Sequence, residues 1–319
     1  MTEEHSEFTP ADGAPPSPWH RGERALHARL GVQAEMERLG QRVLRPFMPE
    51  QHQRFYESLP FMVAGVVDAA DRPWATVVQG QPGFVDARSP TRLHIAASVA
   101  NTDPAHAGFS DGRAIGLLGI ELGTRRRNRV NGQISAVSDQ GVDVAVEQTM
   151  GNCPKYIQVR APVGDAAVTA KPSTEPLELA ATDTNYLQGV HAADTFFVAS
   201  YADTASGRAV DVSHRGGKPG FVQVERDGSL LIPDYPGNRF FNTFGNILET
   251  GRVGLVFPDF DTGAVLQLTG AAELLLDTEV TGLNDTVAQA WRVQPERIVY
   301  REAALAQRWS LEAPSPFNP

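Results

Sequence analysis

The sequence predicts a mainly β protein with added helices, in which two tandem copies of one barrel-sized unit pack as a built-in pseudo-dimer. Three observations carry this. Short runs rich in Val, Ile and Phe alternate with Gly, Pro and Asp punctuation after Pro60, the pattern of an antiparallel barrel. The pattern then returns in the second half: Phe61-Met62-Val63-Ala64 matches Phe196-Phe197-Val198-Ala199 at an offset of 135. Pro82-Gly83-Phe84-Val85 matches Pro219-Gly220-Phe221-Val222, and Leu93-His94-Ile95 matches Leu230-Leu231-Ile232, both at 137. Gly116-Leu117 matches Gly254-Leu255, and Asn131-Gly132 matches Thr269-Gly270, at 138. Third, the chain has 319 residues, 41% hydrophobic and 21% charged, which is enough for two ordinary cores.

Taken in order, residues 1–19 carry Pro10, Pro15, Pro16 and Pro18 among small and acidic residues and read as a flexible tail. Leu26, Leu30, Met36, Leu39, Val43 and Leu44 recur at helical spacing, so His20 to Leu44 reads as one amphipathic helix stopped by Pro46. A second helix is expected from Pro49 to Ser58, with Pro49 in the first helical position. The first barrel then takes Phe61–Val67, Ala75–Val78, Leu93–Ala97, Ala114–Ile120 and Arg129–Val137. Residues 20–160 form the first domain with its helical lead-in, 161–190 a Pro-, Ala- and Thr-rich connector, and 191–319 the second barrel with a C-terminal extension. A short helix is expected near Tyr186–Gly189, and strand texture from Thr195 to Leu276.

Composition excludes several classes of function. The formal charge of −10 opposes general nucleic-acid binding, which needs cations to displace counterions. A single cysteine, Cys153, precludes an intrachain disulfide and a cysteine-clustered metal site. No apolar run approaches the roughly 20 residues of a membrane span. The acidic start Met1-Thr2-Glu3-Glu4-His5 is not a secretory signal, so a cytoplasmic protein is expected.

Most catalytic patterns are missing. Gly108-Phe109-Ser110-Asp111-Gly112 fits a nucleophile elbow, but that turn needs a strand before it and a helix after it. Here Asn101-Thr102-Asp103-Pro104 precedes and an apolar run follows, so a loop ahead of a strand is the better reading. Cys153, with Lys155 beside it, is read as a packing residue. The basic run Arg125-Arg126-Arg127-Asn128-Arg129 suits either a solvated strand end or an anion contact.

The densest polar stretch lies in the second copy: Asp211-Val212-Ser213-His214-Arg215-Gly216-Gly217-Lys218, then Pro233 to Arg239, then Asn242 and Asn246. Two strands there end in Gly-containing turns that carry a guanidinium. Such turns can bring backbone N–H groups and an arginine onto one phosphate, although ordinary hairpin turns share the composition.

This second copy resembles the flavin-binding split barrel of the pyridoxamine 5′-phosphate oxidase superfamily. Leu230-Leu231-Ile232-Pro233-Asp234-Tyr235-Pro236-Gly237-Asn238-Arg239 is similar to that family's strand into a Gly-Ser-Arg-Lys turn, which holds the FMN phosphate. Gly251–Phe257 and Val265–Glu273 resemble the next two strands. The whole chain, with Ser17–Glu23 and Gly151–Gln158, resembles a subgroup of flavin-nucleotide-binding proteins whose members also occur fused to ferredoxin–reductase-like modules. The resemblance implies FMN as cofactor, with FAD and haem as the alternatives, and an oxidoreductase or a non-enzymatic carrier. It implies that Arg215, Lys218 and Arg239 neutralise the phosphate, that Ser213 and Asn238 hydrogen-bond it, and that Asp211, His214 and Pro233 lie along the flavin. Asn242 joins this set, and Arg127 and Arg129 come from the first barrel. For haem the implied ligands are His214 or His191. The partners implied are a small-molecule substrate, a reductase or ferredoxin-like electron donor, and a second chain in a homodimer. The ending Phe317-Asn318-Pro319 lacks the family's Arg-Leu-x-Pro substrate element, so vitamin B6 oxidation is not implied.

Overall fold

The computed structural model describes residues 16–164, 175–276 and 289–319. Three helices lead in: α1 (Arg21–Arg29), α2 (Gln33–Val43) and α3 (Glu50–Glu57). Seven strands follow: β1 (Phe61–Val67), β2 (Pro73–Gln79), β3 (Val85–Ser89), β4 (Arg92–Ile95), β5 (Ala114–Glu121), β6 (Arg126–Ser138) and β7 (Gly141–Gly151). After β8 (Val159–Val163), β9 (Leu177–Glu178) and α4 (Thr184–Ala192), the series begins again. It runs β10 (Thr195–Thr204), β11 (Gly207–Gly216), β12 (Gln223–Val224), β13 (Leu230–Asp234), α5 (Asn242–Thr250), β14 (Arg252–Pro258), β15 (Val265–Leu275) and β16 (Gln289–Arg301). The last strand, β17 (Arg308–Ala313), pairs with β8, so the end of the second unit folds back onto the exit of the first. No described helix is long and apolar enough to cross a membrane.

The two sheets have one topology. The first is ordered β2-β1-β5-β6-β7-β4-β3 and the second β11-β10-β14-β15-β16-β13-β12, all antiparallel. Each curls around its own core as a split barrel; Met62, Trp74, Val85, Leu93, Leu117, Val130 and Val144 bring all seven strands of the first to one cluster. Even the irregularities repeat: a bulge at Asn131/Gly132 in β6 has its equivalent at Thr269/Gly270 in β15. The two sheets fit a tandem duplication.

One anchor of the repeat slips by a residue. Val63 pairs with Leu118 as Phe197 pairs with Val256, so the equivalent of Val63 is Phe197 and not Val198. Burial agrees, since Val63 and Phe197 both face the seam between the units whereas Val198 faces its own core. A one-residue slip would turn every side chain to the wrong face of the strand. The Phe61 match to Phe196 is therefore coincidental, and the other four anchors hold their register.

The seam is an apolar layer of Phe61, Val63, Ala75, Leu118 and Ile120 against Phe197, Ala199, Val212 and Val256. Its closest approaches are made by equivalent glycines. A Cβ on Gly116 would sit 2.6 Å from the Val210 carbonyl oxygen, and one on Gly254 would sit 2.2 Å from that of Pro73. Each unit thus uses a bare backbone to admit the other's second strand.

Four other expectations change. The lead-in helix is two helices, because Gly31 adopts a left-handed φ of 66° that breaks the run. Residues 1–15 of the expected tail lie outside the described residues, but Trp19 is packed, its Nε1 donating to the Met36 carbonyl and its ring against Phe240. The connector holds β9 and most of α4, while 165–174 lie outside the described residues. Helix α5 interrupts the second run of strands, with Phe244 and Ile247 on its buried face. The short helix after Pro49 forms, with Pro49 as its N-cap rather than its first helical residue, and Phe109–Gly112 is a loop ahead of β5.

Candidate functional site

In the first barrel the inward face of β2 carries Trp74 and Val78, both in the core. The register places Asp211 and Arg215 of β11 where the first barrel has Trp74 and Val78, and Ser213 where it has the buried Thr76, so at two of the three positions the second barrel has a charged group in place of packing. Beside them opens a cavity of about 540 Å³, a size suited to a cofactor. Its walls come from both units. Arg127 and Arg129 of β6 and the segment Asn152–Tyr156 enter from the first; Ser213, His214, Arg215, Pro233–Arg239 and α5 enter from the second.

Nine of the eleven expected residues line it: Arg127, Arg129, Ser213, His214, Arg215, Pro233, Asn238, Arg239 and Asn242. Asp211 instead lies behind the wall, where it accepts from Arg129 at 2.9 Å and from Asn131 at 2.7 Å. Lys218 is exposed beyond the end of β11, in a turn where its carbonyl accepts from the Phe221 N–H, and does not line the cavity.

Arg129 organises the wall. The side chain is buried and donates to Asp211, to Asn242 at 2.6 Å and to Ser213 at 2.6 Å, so one guanidinium of the first barrel ties β11 and α5 of the second. Asn242 in turn donates to Glu23 of α1. Glu23 is buried beside Asp211, and burial and that neighbouring carboxylate push its pKa up to about 8. Both effects favour its neutral form near pH 7.

The second guanidinium sets a tautomer. Arg127 Nη1 lies 2.9 Å from His214 Nδ1. A guanidinium can only donate, so Nδ1 accepts and the proton of the neutral ring sits on Nε2. Burial, with Arg127 and Arg215 nearby, holds His214 well below the usual histidine range, and burial brings Arg127 down to about 10. Arg215 pairs with Asp234 at 2.9 Å. Arg239, at a left-handed φ of 61° on the rim, has no side-chain partner among the described residues, and its carbonyl accepts from His27 Nε2.

Several polar atoms of the wall lack a hydrogen-bond partner. Arg127 Nε, Arg129 Nε, Arg215 Nε and His214 Nε2 are buried and unpartnered among the described residues, which native proteins seldom tolerate. Aromatic side chains complete the walls: Tyr156 and Tyr235 at 5.3 Å, with Phe221, Phe241 and Phe244. Asp234, Tyr156, Tyr235 and Phe244 were not foreseen as site residues. Cys153, expected as packing, also lines the cavity. Its position follows from the loop after β7, which no local pattern announces.

The equivalent place on the other side of the seam is closed. Arg129 becomes Gln267 and Asn152 becomes Arg301, which pairs with Asp103 at 2.7 Å and donates to Gln267. Leu305 and Trp309 pack there with Phe61 and Val77, leaving only about 20 Å³.

No family model and no curated protein matches the chain. Among solved structures it is similar to HupZ of Group A Streptococcus, at 13% identity and a TM-score of 0.30, over 42% of this chain and 97% of that one. It is also similar to the FAD binding protein from Mycobacterium smegmatis, at 15% identity and a TM-score of 0.27, over 39% and 96%. A third is the Clostridium acetobutylicum protein related to general stress protein 26, of the pyridoxinephosphate oxidase family (16% identity, TM-score 0.27, 41% and 96%). The likeness is one of fold. About two fifths of this chain matches nearly all of each.

Proposed function

We propose that the cavity binds flavin mononucleotide, one per chain, in the service of redox chemistry on a small-molecule substrate. The observation that carries this is the convergence of aromatic walls with four guanidinium groups, three of them holding buried unpartnered N–H atoms, in one cavity of cofactor size. A flat ring bearing a phosphate satisfies both features. When bound, the isoalloxazine supplies the hydride and single-electron chemistry. The protein's part is anchoring and orientation. Arg239, Asn238, Ser213 and Arg215 hold the phosphate, with Arg215 pre-oriented by Asp234. Arg127 and the Nε2–H of His214 offer fixed donors to the ring's acceptors. That tautomer disfavours haem at His214, since an iron ligand needs a lone pair on the nitrogen. His191 lies on α4, outside the cavity. A soluble reductase or ferredoxin-like donor would supply electrons.

Titration with FMN, followed by quenching of flavin fluorescence, should saturate at one equivalent per chain. A second phosphate at the closed position would displace the buried Arg301–Asp103 pair, at a cost of several kcal/mol. Two equivalents of similar affinity would contradict the reading, and so would a Soret band with no flavin bands after incubation with both cofactors. Reduction of the bound flavin by NADH or NADPH then separates an oxidoreductase from a carrier.

Replacing Arg239 with Ala should weaken FMN binding by about 1.5–3 kcal/mol, the scale of a lost hydrogen bond to a charged group. The fold should persist, because the side chain is exposed. Riboflavin, which lacks the phosphate, should bind both proteins equally; if it too loses affinity, Arg239 does not serve the phosphate.

A further inference from the structure

Residues 17–23 line no part of the cavity, yet they dock α1 against the turn that carries Arg239. His20 caps α1, its Nδ1 accepting from the Gly22 N–H at 3.2 Å while its own N–H donates to Glu23 at 3.0 Å. Gly22 lies against Gly245 of α5, where a Cβ would sit 2.2 Å from the carbonyl oxygen, so the two helices cross in backbone contact. That crossing fixes which residues of α1 meet the turn. Glu23 accepts from Asn242, and one helical turn further on His27 Nε2 lies 2.9 Å from the Arg239 carbonyl. A carbonyl oxygen only accepts, so Nε2 carries the proton and donates. His27 is 1% exposed, its ring packed between Trp19 at 5.2 Å and Phe241 at 5.8 Å.

The turn needs this support. Arg239 and Phe241 adopt left-handed φ of 61° and 58°, although each carries a Cβ that this conformation crowds. With Tyr156, at a φ of 68°, three of the five left-handed non-glycine residues described line this one cavity. Such strain persists where neighbours over-determine it, and it collects at ligand clamps. Tyr156 and Lys155 hold the turn at the Pro236 carbonyl, and the Asn238 side chain accepts from the Phe240 N–H at 3.1 Å. His27 bonds to Arg239 itself, at the backbone, and so fixes the residue without engaging its guanidinium. Resting on the flavin reading above, we infer that His27 is a positioning residue: it holds the strained turn so that Arg239 and Asn238 are pre-set to meet the phosphate.

Two variants separate donation from packing. His27→Phe keeps a ring between Trp19 and Phe241 but has no donor, whereas His27→Gln keeps an N–H for the carbonyl. The Phe variant should bind FMN at least about tenfold more weakly than wild type, with riboflavin affinity unchanged, and Gln should recover to within about threefold. His27→Phe combined with Arg239→Ala should bind FMN no more weakly than Arg239→Ala alone, since His27 acts through that side chain. Trypsin gives a readout without flavin: the bond after Arg239 should be cut at least about tenfold faster in the Phe variant than in wild type or Gln. Melting by circular dichroism shows that each is folded, and His27→Leu takes the place of Phe should that variant not fold. Failure of FMN to bind the wild type would sink the flavin reading alone, and the cleavage rates would still decide whether His27 holds the turn. Unchanged cleavage in the Phe variant, an equal loss of riboflavin, no recovery with Gln, or full additivity with Arg239→Ala would each overturn the assignment.

Discussion

Arg129→Ala should lower the unfolding free energy by about 3–5 kcal/mol and abolish FMN binding, the largest single loss expected from any side chain of the cavity. The guanidinium is 3% exposed and makes three hydrogen bonds, to Asp211, Asn242 and Ser213. Without it, Asp211 stays buried with only Asn131 and Asn246 as donors and Glu23 as a near neighbour. An uncompensated buried carboxylate costs more than the pair contributes. The residue also spans the seam, so its loss loosens β11 and α5 together. Lysine should rescue little, because one ammonium on a flexible stem cannot reproduce the planar fork that reaches three acceptors. Urea unfolding measures the effect; a loss under about 1 kcal/mol would mean that the units hold together without this network.

Glu23→Gln should remove a fall in stability with rising pH. The carboxyl titrates near 4.5 when unfolded and at about 8 when folded, so between these values the folded state holds a proton that the unfolded state has released. Stability from this group is fully present below about pH 4.5 and is lost as pH rises through about 8, by about 1.4 kcal/mol per unit between these values. Gln is uncharged throughout and keeps one of the two acceptors that Glu23 offers to His20 and Asn242. His20 works in the opposite sense: burial lowers its pKa, which penalises folding as pH falls. The comparison is therefore wild type minus variant at each pH. That difference should fall steadily from pH 5 to pH 8 as the wild type loses stability; a flat difference would place Glu23 in the ionised form.

Much of this was legible in the chain. Strand alternation and punctuation carry a barrel's period locally, so β1, β5 and most of β6 follow from their own residues. The repeat was readable because turn and glycine positions are constrained backbone sites: Gly83 and Gly220, at φ of 94° and 84°, hold equivalent turns. The slip at Phe61 shows the limit of that reading. Runs of Phe, Val and Ala match at either of two registers, and only pairing across β5 and β14 decides which face is buried.

For the site, residue type alone singled out Asp211–Lys218, Pro233–Arg239, Asn242 and Asn246, since guanidinium, amide and turn glycines share these short stretches. What the sequence determined by itself was a duplicated β architecture and the half that holds the polar groups. What only the tertiary structure decided was the partnership: that Arg129 belongs to Asp211 across 82 residues, that Glu23 lies behind Asn242, that Lys218 points away, and that Trp309 and the Arg301–Asp103 pair shut the twin position. Charge balance and closure depend on which side chains meet across the seam, and that distance is set by packing two glycine-bared strands together, not by any local preference of the chain.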